Sequence, residues 1–196
     1  MNSLQVAGLR RLLAGTALDE EVVEFATALS AAPQPSGGLL VVGTPTHEPW
    51  HFVAHLADQA AASNRTELAP TWIRWQPPAN APDHLAIGLD RLRDIARHET
   101  VLVIAQDSAS ERLLDLVADG HKRGALVMAL ERSNPELVDL ADEVLTVPHS
   151  PSFPYFDVVQ HVVTEIAPGD RAGTAHVRGR LRRLMDALPS IGASHR

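Results

Sequence analysis

Residues 100–147, TVLVIAQDSASERLLDLVADGHKRGALVMALERSNPELVDLADEVLTV, alternate between two kinds of segment. Short apolar runs at 101–105, 125–130 and 143–147 have the length and the turn-residue borders of buried strands. Between them, 108–122 and 135–141 have helical spacing: Leu113, Leu114, Leu116 and Val117 form one apolar stripe, and Gly124 stands where a helix C-cap would fall. Upstream the same alternation continues, with strand-like runs at 39–42 and 71–75 and helical segments at 49–63 and 83–98. Strand-helix-strand order throughout implies right-handed βαβ units. The expected fold is therefore α/β, a three-layer sandwich whose five-stranded parallel sheet is flanked by helices.

The flanks add helices to this frame. Residues 20–31 make an amphipathic helix closed by the Pro- and Gly-rich breaker at 33–38, and a proline-rich turn at 148–154 leads into a helix at 155–167. The last basic stretch, 175–187, sets Arg178, Arg180, Arg182 and Arg183 beside Leu181, Leu184 and Leu188. It reads as an amphipathic helix packed on the domain or on a partner subunit, with an anion-binding arm as the alternative.

Composition narrows the function classes. The chain has 196 residues, 45 % of them apolar, which suits a single domain over 1–196 with its core at about 20–167 and a basic helix or tail at about 171–196. No run is long and apolar enough for a membrane helix, and Met1 to Arg11 lacks the order of a signal peptide, so a cytoplasmic protein is expected. With no cysteine, disulfides and thiolate chemistry are excluded, and imidazole and carboxylate remain as metal ligands. The ten histidines matter for that reason. A net charge of -7 argues against nucleic acid as a partner, since such binding rests on neutralising phosphates with Lys and Arg.

The segment 100–147 resembles the second half of a sugar isomerase (SIS) domain. In that family a strand ends in a Ser/Thr-rich loop that opens a helix, a Lys-Arg-Gly-Ala turn leads to the next strand, and Ser-Asn-Pro and Leu-Ala-Asp precede the last. The same order stands here at Val101 to Ala105, Gln106 to Ser110, Lys122-Arg123-Gly124-Ala125, Ser133-Asn134-Pro135 and Leu140-Ala141-Asp142. Within the family the phosphoheptose isomerase branch is most similar. Its His-Phe-x-x-Glu-Leu pattern is matched by His51-Phe52-Val53-Ala54-His55-Leu56, and its late histidine by His161, followed by Glu165.

The resemblance implies a flavodoxin-like sheet and a sugar or sugar-phosphate ligand, with sites often built between subunits of a homodimer or homotetramer. His51 takes the family histidine position, His55 replaces its glutamate, and His161 matches the late histidine, so His161 and His55 become the catalytic candidates. The i, i+4 spacing of His51 and His55 also suits a metal. With His161 as a third ligand the set has the form of a catalytic site for zinc or another divalent ion, whereas the spacing alone equally suits two ordinary helix histidines. His47 or Glu48 could assist, and no organic cofactor is expected.

Two loops depart from the family. The first, Gly43-Thr44-Pro45-Thr46-His47-Glu48, offers Gly43, Thr44 and Thr46 as ligand contacts, while Pro45 lacks a backbone donor. The second keeps hydroxyls at Ser108 and Ser110, but Asp107 puts negative charge where the family holds phosphate. Ser108 has a competing role as a helix N-cap, with Glu111 completing a capping box. Two functions remain open on these residues: a sugar-phosphate isomerase with its histidines around the substrate, or a noncatalytic SIS module that binds a ligand or a protein partner.

Overall fold

The computed structural model describes residues 13, 16–32, 38–149 and 155–169. Most of the 33–38 breaker and the 148–154 turn, and all of the 175–187 basic stretch, lie outside these residues. Helix α1 (Ala17–Ala31) begins where the Thr16 hydroxyl accepts the Asp19 amide. It is followed by β1 (Leu39–Val42), α2 (Trp50–Ala62), β2 (Pro70–Ile73), β3 (Thr100–Ala105), α3 (Glu111–Lys122), β4 (Leu126–Glu131), α4 (Pro135–Leu140), β5 (Glu143–Thr146) and α5 (Tyr155–Ile166).

The five strands form one parallel sheet in the order β2-β1-β3-β4-β5, as the alternating sequence predicts. Successive side chains on a strand point to opposite faces, and both faces are covered. Leu39, Val41, Leu102, Ile104, Met128 and Leu130 pack with Phe25 and Leu29 of α1, Phe52 and Leu56 of α2, and Val159 and Val163 of α5. On the other face Leu40, Val42, Val101, Val103 and Val127 meet Leu113 and Val117 of α3 and Leu137 of α4. Each fully buried Leu, Val, Ile or Phe contributes about 1.5–3 kcal/mol of transfer free energy, so the two apolar layers hold the sheet.

Between β2 and β3 the chain does not form the single helix expected over 83–98. It makes two short 3₁₀ segments, Asp83–Leu85 and Leu89–Asp94. The cause lies at the end of β2, where the Arg74 amide donates to the Ile87 carbonyl and Arg74 pairs with Gly88 as an isolated bridge. That pairing holds Gly88 extended and interrupts any helix. Leu89, Leu92 and Ile95 still reach the core, because a spacing of three suits a 3₁₀ turn as well as an α-helix.

At the end of α3, Gly124 has φ +95°, as expected of a glycine C-cap. Gly124→Ala is expected to cost about 1 kcal/mol, read from the urea midpoint, because an L side chain is strained at that φ. Among the described residues no helix is long and apolar enough to cross a membrane.

Candidate functional site

The sheet order turns at β1 and β3. The chain leaves β1 toward α2 on one face and leaves β3 toward α3 on the other, so the loops beyond these adjacent strands diverge. Such a switch point, at the carboxyl ends of the strands, is where α/β sheets hold ligands. Here those loops are residues 43–49 and 106–110.

The first loop is built around a close approach. A Cβ on Gly43 would collide with the His47 carbonyl and lie 2.5 Å from Pro49 Cδ. The amide of Thr44 donates to the His47 carbonyl and the His47 amide returns a bond to Thr44, closing the turn. Glu48, a candidate helper from the sequence, is engaged elsewhere: its carboxylate accepts the Trp75 amide at 2.9 Å and Arg74 Nη2 at 3.2 Å. Trp75 Nε1 donates to the Gly43 carbonyl, so the end of β2 straps the loop in place.

Across the crevice stands Asp107. Its carboxylate accepts the buried Thr44 hydroxyl at 2.5 Å and the Thr46 hydroxyl. Desolvation would raise its pKa, but the Thr44 and Thr46 hydroxyls and the nearby His47 outweigh it and hold the carboxyl below the usual range. The helix cap also differs from expectation. Ser110, not Ser108, caps α3 by accepting the Leu113 amide, while Asn134 Oδ1 takes the Ala109 amide at 2.6 Å. Asn134 also donates to the carbonyls of Ala105 and Asp107, and its own amide is held by Glu131, a buried carboxylate. This distant clamp fixes the loop through Ala109 and sets the helix start two residues late.

Beside the crevice, α2 and α5 enclose a cavity of about 750 Å³. His47, Trp50, His51, His55, Gln160 and His161 are among its lining residues, with Asp157 and Thr164. The His51 and His55 rings stack at 5.9 Å, as their i, i+4 spacing requires, and the His55 and His161 rings meet edge to face at 4.5 Å. The structure thus brings together all three expected histidines within one chain. Among the described residues the buried Nε2 atoms of His47 and His161 have no hydrogen-bond partner, and Glu165 Oε1 stays 4.0 Å from His161 Nε2 while accepting Gln59 Nε2 at 3.0 Å. Native interiors leave few buried polar atoms unpaired, so both nitrogens have capacity for a polar partner.

The orphaned nitrogen of His161 suits a metal donor, yet the rings do not aim at one point: among the described residues no three His, Asp or Glu side chains are placed to hold one ion. Sequence reading passed over Trp50, which is 55 % exposed on the cavity rim and stacks on His51 at 3.6 Å. An exposed tryptophan opening an amphipathic helix that also carries His51 and His55 was the available signal.

Desolvation is the main cause of a lowered His161 pKa, reinforced by His55 and opposed by Glu165. The folded protein therefore binds fewer protons than the unfolded chain just below pH 6.5, and stability rises with pH there. Thermal melting is expected at lower temperature as pH falls from 6.5 through the folded pKa, and His161→Gln is expected to flatten that slope.

No protein-family profile matches the chain, and no curated protein does either. Solved structures do. The NanR protein of Vibrio vulnificus, complexed with ManNAc-6P, superposes with TM-score 0.53 at 12 % identity, covering 97 % of this chain and 72 % of its own. A candidate phosphosugar isomerase from Silicibacter pomeroyi DSS-3 gives TM-score 0.52 at 16 % identity, covering 93 % of this chain and 52 % of that one. The likeness is one of fold, an α/β sandwich with a five-stranded parallel sheet flanked by helices. A candidate sugar-binding protein from Salmonella typhimurium LT2 superposes with TM-score 0.50 at 17 % identity, covering 92 % of this chain and 52 % of that one. The chain spans about half the length of the last two structures.

Proposed function

We propose that this SIS domain binds a sugar in the cavity between α2 and α5, and that binding rather than isomerisation is its role. The observation that carries the reading is the pair of imidazoles His47 and His161, which line one cavity large enough for a monosaccharide and whose buried Nε2 atoms have no hydrogen-bond partner among the described residues. Sugar hydroxyls both donate and accept, so they can satisfy a neutral imidazole in either tautomer. The exposed Trp50 offers an apolar ring to the C–H face of the sugar, while Gln160, Thr164 and Asp157 supply further polar contacts. Thr44, Thr46, Ser108 and Ser110 lie on the neighbouring crevice, with Gly43 shaping its first loop.

A second reading, an aldose-ketose isomerase of the phosphoheptose type, draws support from His161, whose lowered pKa favours the unprotonated form that can accept a proton beside Glu165. His51, His55 and His161 are the residues that would hold zinc or another divalent ion in that case, and the ion would polarise a carbonyl. Their rings would first have to turn toward one point, so no step is routed through a metal.

Further features fit a cytoplasmic homodimer or homotetramer. The chain has no cysteine, and α1 leaves Val23 39 % exposed for a partner copy, whereas α5 is buried against α1 and α2 within the chain. Thermal-shift screening of aldoses, ketoses and their phosphates against the full chain, followed by NMR of any stabilising sugar for conversion, tests the reading. Stabilisation without conversion is expected. Conversion of a phosphosugar would place the isomerase ahead.

A further inference from the structure

We propose that Asp107 is a resident anion that closes the switch-point crevice to phosphate, so that the ligand of this domain is an unphosphorylated sugar. The inference rests on the sugar-binding reading and narrows its ligand class. Thr44 and Thr46, on the loop after β1, both direct their hydroxyl protons at one carboxylate carried by the loop after β3. Two hydroxyl donors converging from one loop, opposite the start of a helix, are the donor set that would receive an anion from solvent. Here the chain's own carboxylate takes that place. Asp107 is an exposed residue, so its carboxylate is open to the solvent from which an anion would arrive.

One backbone donor of the crevice is engaged as well. Asn134 Oδ1 accepts the Ala109 amide, and the Ser110 hydroxyl accepts the Leu113 amide as the α3 cap. Pro45 between the two threonines has no amide to offer. A phosphate entering here would displace Asp107 from both hydroxyls and then face its charge at short range, where like charges repel strongly. His47, which already acts on the Asp107 carboxylate, has its ring set edge-on to Phe156. An unphosphorylated sugar in the adjoining cavity makes no such demand.

Calorimetric titration of the full chain with inorganic phosphate tests the assignment, comparing wild type with Asp107→Ser and Asp107→Asn. Wild type is expected to show no saturable binding at tens of millimolar phosphate. Asp107→Ser, which frees both threonine hydroxyls and removes the charge, is expected to gain binding by on the order of tenfold or more, and Asp107→Asn, which keeps the volume, by less. If the serine variant is poorly folded, by far-UV circular dichroism, the asparagine variant alone decides. Saturable phosphate binding by wild type, or no gain in a folded variant, overturns the proposal. Failure of the sugar-binding reading is a separate event, visible as wild type binding no unphosphorylated sugar whatever phosphate does.

Discussion

Gly43→Ala is expected to destabilise the protein by about 2–3 kcal/mol and to abolish ligand binding in whatever folded fraction remains, the cost being that of overpacking a tight site. The new methyl group would meet the His47 carbonyl and Pro49 Cδ, neither of which can swing aside as a flexible side chain would. Relief requires the 43–49 loop to move as a unit. That movement would pull the Gly43 carbonyl from Trp75 Nε1, release Glu48 from the end of β2, and shift both His47 and the start of α2. A urea titration gives the stability loss, and a thermal-shift assay with the binding sugar gives the functional loss. A wild-type midpoint for this variant would show that the loop is not held by the close approach.

The second large effect is on affinity. Removing two imidazoles of the cavity in His55→Ala/His161→Ala is expected to weaken sugar binding by about 30- to 150-fold, at roughly 1–1.5 kcal/mol for each bond lost. His161 Nε2 has no hydrogen-bond partner among the described residues, so its removal deletes none of their bonds at that atom, and the damage should fall on the ligand more than on the fold. A comparison of binding with urea midpoints separates the two. Equal affinity in the double variant would place the ligand elsewhere.

The strands were legible because each is an apolar run between turn residues, and a parallel sheet covered on both faces needs such runs. Less of the connection after β2 could be read. Leu89, Leu92 and Ile95 satisfy two helical periods at once, and the pairing of Arg74 with Gly88 that decides between them joins separate segments. The position of the α3 cap is hidden in the sequence for a similar reason. Ser108 and Ser110 both have capping chemistry, and the choice falls to Asn134, which reaches Ala109 from a loop beyond β4.

In the site, His51 and His55 were paired by spacing alone, since a helix places such residues on one face. His161 joined them through packing of α5 on α2, which no local pattern encodes. The charge of Asp107 was visible in the sequence as a misfit for phosphate. Its two threonine partners were not, because they lie on the far side of a strand crossover and meet it only once β1 and β3 are neighbours.

The most direct measurement is calorimetric titration of the full-length wild-type chain with unphosphorylated aldoses and ketoses, repeated with His55→Ala/His161→Ala. Saturable binding of at least one sugar by the wild type, lost or strongly weakened in the folded double variant, is the predicted result. Absence of binding by every sugar, or binding that the double variant retains unchanged, would contradict the assignment of the α2–α5 cavity as the sugar site.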